Sequence, residues 1–222
     1  MEEAAERTVQ IVAAHPLEVK ELRKSLGCGS STATSGEFIL QDTRVGIVIC
    51  GVGQEQIGPT INPLFQEEKI PSLIFNVGFV GALDSKIDWG SWILCDKIYR
   101  LDQGHLHKDF FISHPLLLKK AQQYLYERNI QGETGSLITA DKAYPDSGSK
   151  KRLFGRTKAA AVDMEAYYLA QIAAEKKVPF LSVKIVSDAV RDFASDAIKS
   201  RGRILSHRIA EIVPDLIIRL VN

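Results

Sequence analysis

Cysteine is scarce in this chain. Cys28, Cys50 and Cys95 are odd in number, far apart and never in C-x-x-C spacing, which argues against zinc or redox chemistry and for a reduced, cytoplasmic setting. An excess of one charge is missing too: 28 Lys and Arg face 27 Asp and Glu, so electrostatics gives no reason to expect nucleic acid or an anionic membrane as partner. No apolar run approaches the roughly 20 residues that would cross a bilayer. The first residues, MEEAAERT, lack the basic start and apolar centre of a secretory signal, and residues 1–7 are expected to form a flexible tail. No internal repeat or low-complexity tract is visible. Complete phosphate-binding motifs are also wanting. In CGVGQEQIG the third glycine of a dinucleotide fingerprint falls on Gln56, and a P-loop from Gly53 to Gly58 is followed by Pro59 and Thr60 instead of Lys and Ser or Thr.

What is present is an alternation of short β-branched runs with longer amphipathic ones. With 222 residues, the chain is long enough for one sizeable core, and a single domain over 8–222 is expected. TVQIVAAH (8–15), EFILQD, TRVGIVICG, SLIFNVGFVGAL, WILCDKIY, GSLITAD and PFLSVKIVSD read as strands, the fourth running into a glycine-punctuated loop. Helices are expected from Pro16 to Gly27, through QEQIGPTINPLFQEEK with Pro59 and Pro63 disturbing it, over PLLLKKAQQYLYERN, over 164–177, and from about Asp196 with an interruption near Pro214. The polar segment 145–158 reads as a mobile loop or short helix beside a site. The alternation predicts an α/β fold with a mixed, largely parallel central sheet flanked by helices on both faces.

Carboxylates stand where packing alone would not place them. Asp163 suits the N-terminus of the 164–177 helix as a cap. Glu165 opens an otherwise apolar helix, either as a first-turn acid complementing the helix dipole or as a site residue. Asp188 ends an almost wholly apolar strand at the carboxyl edge of the sheet, where open α/β sheets place ligands; capping the next turn is the plainer explanation. Gly78 and Gly81 lie at a comparable strand end, where glycine serves either a turn or the close approach of a substrate.

The stretch AVDMEAYYLAQIAAEKKVPFLSVKIVSDAV (161–190) resembles the signature of the nucleoside phosphorylase and nucleosidase superfamily, particularly its methylthioadenosine/S-adenosylhomocysteine nucleosidase-like members. Met164-Glu165 and Ser187-Asp188 match a Met-Glu pair and a Ser-Asp pair in that family. GVGQEQIG, NVGFVGAL and WGSWILCD extend the likeness over nearly the whole chain. The resemblance implies hydrolysis of the N-ribosidic bond of a purine nucleoside such as a 5'-substituted adenosine. In that scheme Glu165 accepts hydrogen bonds from the ribose hydroxyls and Met164 packs on the sugar. Asp188 protonates the departing base, Ser187 orients Asp188, and Glu18 activates the water. It implies no cofactor, no metal, a small-molecule nucleoside as partner, and a homo-oligomer.

Departures from the family bear on the substrate. Phe79 replaces a hydroxyl-bearing residue near the attacking water, His15 stands where Met is usual beside the sugar, and RLDQGHLH (100–107) replaces a different segment. His15 is either a donor to the ribose or to phosphate, or a satisfied core histidine. Tyr144, in the loop after Asp141, is a candidate stacking ring for the purine. His105 and His107 alternate without acidic or cysteine partners and read as a surface loop, not a metal site. For Glu18 the competing reading is a solvated helix acid. Two other functions remain open: a phosphorolytic or specialised member, of the hopanoid-associated adenosyl-cleaving or futalosine type, and a non-catalytic nucleoside-binding protein.

Overall fold

The computed structural model describes residues 7–27, 35–65 and 70–222. Nine strands form one sheet: β1 (Arg7–Ala13), β2 (Ser35–Leu40), β3 (Thr43–Ile49), β4 (Leu73–Ala82), β5 (Trp92–Asp102), β6 (His105–Ile112), β7 (Gly132–Ala140), β8 (Ala161–Asp163) and β9 (Phe180–Asp188). Among the described residues six α-helices cover it: α1 (Pro16–Ser25), α2 (Gln54–Ile61), α3 (Pro115–Glu127), α4 (Ser147–Thr157), α5 (Ala166–Glu175) and α6 (Ala194–Val221). The strand order is β2-β3-β1-β4-β8-β7-β5-β6, with β9 pairing β4 and β5. The pairs β1–β3, β1–β4, β4–β9, β5–β7 and β7–β8 are parallel, while β2–β3, β4–β8, β5–β6 and β5–β9 are antiparallel. The sheet is therefore mixed and largely parallel, as its alternating strands and helices predict.

The central strands carry near-continuous apolar runs because helices bury both of their faces. β1 contributes Val9, Ile11 and Ala13 to one face's core and Val12 to the other's. β9 is buried along its whole length, polar Lys184 included. Two polar residues inside this sheet pair with each other and with the backbone. Asn76 Nδ2 donates to Val12 O at 3.1 Å, and Ser182 Oγ donates to Asn76 Oδ1 at 2.9 Å.

Several elements differ from the reading of the sequence. β4 continues through Gly78 and Gly81 to Ala82, because β8 and β9 pair with its far end. His105 and His107 belong to strand β6, paired with β5, and not to a loop. Of the two readings of segment 145–158 the helix is the one found, as α4, capped where Asp146 Oδ1 accepts from Ser149 N at 2.9 Å. α2 ends at Ile61, short of the expected length, and passes into a 3₁₀ turn over Asn62–Phe65. α6 runs unbroken through Pro214. Val213, Leu216, Ile217 and Leu220 are buried around it, and packing of about 1.5–3 kcal/mol per side chain outweighs the roughly 3 kcal/mol proline penalty. β1 begins at Arg7, and the rest of the expected tail lies outside the described residues, as does Cys28.

Candidate active site

Glu18 is placed by the local chemistry of AAHPLE. Pro16 has the fixed φ that suits a first helical turn, and His15 takes an extended conformation before it. His15 Nδ1 accepts from Leu17 N at 3.1 Å, so the exposed histidine is the N-cap and not a core residue. Glu18 then reaches back over the helix start. Its Oε2 accepts from Ala14 N (2.8 Å) and His15 N (2.9 Å), and its Oε1 from Phe79 N (2.7 Å) on β4. With 5% of its surface exposed, Glu18 is no solvated helix acid. Burial raises its carboxyl above the ordinary range, partly offset by the charge of Lys184 and these three N–H groups.

The second acid sits where β8 turns into α5. Asp163 caps α5, accepting from Ala166 N at 3.1 Å, and also accepts from Thr139 Oγ1 at 2.7 Å. The helix begins at Ala166, so Glu165 precedes it and its side chain caps nothing. Instead Glu165 Oε1 accepts from Gly53 N at 2.9 Å, and Oε2 accepts from Met164 N at 3.3 Å. Gly53 has φ +86°, a conformation that favours glycine, which explains this residue of CGVGQEQIG without any phosphate motif. Beneath them Lys184 Nζ lies 3.1 Å from Asp163 Oδ2, both side chains being buried. Burial lowers the Lys184 pKa, but Asp163, Glu18 and Glu165 more than offset it and leave it raised.

Glu165 is pushed up to about 8, first by burial and then by the nearby Asp163 charge, with Lys184 and the Gly53 N–H opposing. A carboxyl raised in the folded state from an ordinary 4.5 binds a proton that the unfolded chain releases. Its stabilising contribution is full below the unfolded value and is lost as pH climbs through about 8. Glu165→Gln cannot ionise. Its Tm is expected to rise relative to the native protein between about pH 5 and about pH 9, as thermal denaturation across that range would report; a constant difference would count against the raised value.

The third acid ends β9. Ser187 Oγ donates to Asp188 Oδ1 at 2.5 Å and shares that proton with Val80 O at 3.2 Å. Lys150 Nζ, from α4, lies 2.5 Å from Asp188 Oδ2, both side chains being almost wholly buried.

These groups border one cavity of about 360 Å³. Glu18, Glu165, Asp188, Met164, Ser187, Phe79, His15 and Tyr144 all line it, together with apolar Leu17, Val52, Val80 and Ile198. Burial raises the Tyr144 hydroxyl pKa, with Asp141 adding to it. Gly78 is the exception: Gly81 lines the cavity and Gly78 does not. A Cβ at Gly78 would stand 2.5 Å from Glu18 Oε1, so the bare glycine makes room for that carboxylate. Gly78→Ala is expected to displace Glu18, reduce turnover by about tenfold and lower stability by about 1–3 kcal/mol, because moving the buried carboxylate leaves backbone N–H groups unpaired. Steady-state kinetics beside a melting curve would check it.

Lys184 and Lys150 escaped the sequence reading. Lys184 is hidden in an apolar strand pattern, and Lys150 in a segment whose charges look solvated. Lys184 and its partner Asp163 stand 21 positions apart, and such a separation leaves no local signal.

Residues 4–218 match the family model described as the phosphorylase superfamily. The chain belongs to that superfamily. It is 30% identical over 173 residues to a 5'-methylthioadenosine/S-adenosylhomocysteine nucleosidase of Buchnera aphidicola subsp. Baizongia pistaciae, covering 72% of this chain and 68% of the relative. The nucleosidase of the same name from Staphylococcus epidermidis is 26% identical over 155 residues, covering 64% and 68%. Among solved structures, the Helicobacter pylori nucleosidase with butyl-thio-DADMe-Immucillin-A superposes with a TM-score of 0.84 at 15% identity, covering 96% of this chain and 98% of that one. Futalosine hydrolase of the same organism gives 0.81 at 15% identity, covering 99% of each. Both likenesses are of fold. Within this superfamily member, no cluster of potential metal ligands and no helix long and apolar enough to cross a membrane occurs among the described residues.

Proposed function

We propose that the protein hydrolyses the N-ribosidic bond of an adenine-type purine nucleoside and releases the free base. The observation that carries this reading is the convergence of Glu18, Glu165 and Asp188 on one nucleoside-sized cavity. Bond cleavage builds positive charge on the sugar and negative charge on the base. Glu165 meets the ribose hydroxyls, and Met164 packs against the ring. Asp188, oriented by Ser187, gives a proton to the base as it leaves. Glu18 draws a proton from water attacking the anomeric carbon. Tyr144 stacks on the purine, and His15 and Phe79 border the sugar and its 5'-group.

Water is favoured over phosphate as nucleophile because Lys142 is the one cation lining the cavity among the described residues, while Glu18 stands ready as a base. The curated relatives named as nucleosidases support the same choice. The apolar lining contributed by Leu17, Val52 and Ile198 suits an apolar 5'-substituent. We place the protein in a reducing cytoplasm, where the buried thiols of Cys50 and Cys95, each pushed up to about 12 chiefly by burial, stay protonated and unreactive. We also propose that it works as a homo-oligomer.

The test incubates purified protein with adenosine, methylthioadenosine and adenosylhomocysteine, with and without phosphate, and follows free adenine. Release that is independent of phosphate is expected; release that requires phosphate would turn the reading to phosphorolysis. Asp188→Asn is expected to lower kcat by about 100-fold, and near-normal turnover would remove Asp188 from the role of acid.

A further inference from the structure

Lys150 is the feature that the reaction scheme above does not use. It stands on α4, 38 residues before Asp188 in sequence, and its side chain is wholly buried. Its ammonium donates to two backbone carbonyls of the segment following β9, Ala189 O at 2.9 Å and Asp192 O at 3.3 Å. The third neighbour is Asp188 Oδ2 at 2.5 Å, where the contact is one of charge: no well-directed hydrogen bond reaches that oxygen. Asp188 thus has one oxygen tied to Ser187 Oγ, and a second that is buried, adjacent to a cation, and without a directed donor at the wall of the cavity.

The same segment is held from its other side. Asp192 Oδ2 accepts from Ala189 N at 3.0 Å and pairs with Arg201 Nη1 at 2.6 Å. Lys150 is therefore not required merely to close an otherwise loose turn. Beyond its two carbonyl hydrogen bonds it brings a positive charge against Asp188 in a water-poor place, where such a charge acts strongly.

We propose that Lys150 is a positioning residue for Asp188, whose fixed ammonium stabilises the carboxylate that forms as Asp188 gives up its proton to the departing base. The inference rests on the reading of Asp188 as the acid. In that step the O–H bond of Asp188 breaks, an N–H bond forms on the purine ring, and the glycosidic C–N electron pair passes to the base. Asp188 is left as a carboxylate beside Lys150, which remains an ammonium throughout, and Asp188 regains its proton from solvent after the base leaves. Because the negative charge on Asp188 grows toward the transition state, the charge of Lys150 favours that state over the bound substrate and acts on kcat more than on KM.

The experiment is a double-mutant cycle on the intact protein with the adenine nucleoside that it cleaves best. Lys150→Met is expected to lower kcat by about 10- to 100-fold with KM changed less than about threefold. In Asp188→Asn the charge no longer develops, so adding Lys150→Met to it is expected to cost almost nothing further in kcat. Melting curves accompany each variant, and assays run well below the lowest Tm. Should Lys150→Met not fold alone, the Lys150→Gln variant, which keeps polar contacts to the two carbonyls, takes its place in the cycle with the same expectation. A native kcat in the Lys150 variant, or effects that multiply fully in the double variant, would overturn the proposal while leaving Asp188 as the acid. Native turnover in Asp188→Asn would overturn both.

Discussion

Glu18→Gln is expected to cut turnover by about 1,000-fold, within the range over which positioned proton transfer contributes. The carboxylate accepts from three backbone N–H groups, so its charge and its direction are both set before any substrate arrives. Glutamine keeps the shape and loses the basic oxygen. Its amide nitrogen must also face either Phe79 N or the pair Ala14 N and His15 N, donor against donor, which adds a stability cost of about 1–3 kcal/mol. Pre-steady-state measurement of adenine release at saturating nucleoside separates the chemical loss from weaker binding. Retention of more than about a tenth of native kcat would mean that another group activates the nucleophile. The native enzyme carries a matching signature: because burial raises the Glu18 carboxyl, activity should fall on acidification at a pH above the usual carboxylate range, as Glu18 takes up a proton.

Lys184→Met is expected to be the most destabilising single change, at about 3–5 kcal/mol, the range for removing one partner of a buried ion pair. Its ammonium is paired with Asp163, and its charge also acts on Glu18 and Glu165, so methionine would leave three buried acids without their cation. For a chain of this length the loss corresponds to a fall in Tm of roughly 10 °C. The pH dependence identifies the cause. Without the cation Glu18 and Glu165 hold protons to higher pH, so the deficit should be larger near pH 8 than near pH 5. A deficit equal at both would assign the loss to packing. Pairing Lys184→Met with Asp163→Asn should restore part of the stability, since the buried charge left without its partner is then gone as well.

The carboxylates that the chain places beside apolar runs were legible because burial of an acid without a reason is expensive, and three such costs in one chain called for a common explanation. Glu18 illustrates the limit of that reasoning. Its position after a strand and its N3 place in a helix are visible in AAHPLE, but the same letters fit a solvated acid, and only the contact with Phe79 N, 61 residues away, separates the two. Gly78 shows the reverse: read as a substrate-facing glycine at a strand end, it serves Glu18 by leaving space and does not border the cavity. For 147–157 the sequence left loop and helix both open, and the continuity of α6 through Pro214 was misread for one reason. Local propensity is worth a few kcal/mol at most, and packing against the sheet exceeds it.

By itself the amino-acid sequence determined the α/β class, most of the strands, and which acids needed a purpose, because hydrophobic period and the cost of buried charge act on neighbouring residues and leave their mark in local order. Tertiary structure alone decided that Lys184 lies beneath Glu165 and Glu18, and that Lys150 meets Asp188. Ion pairs form between side chains brought together by strand crossovers, across 21 positions for Asp163 and Lys184 and 38 for Lys150 and Asp188, and a Coulomb interaction depends on distance in space, of which the order of letters carries no record.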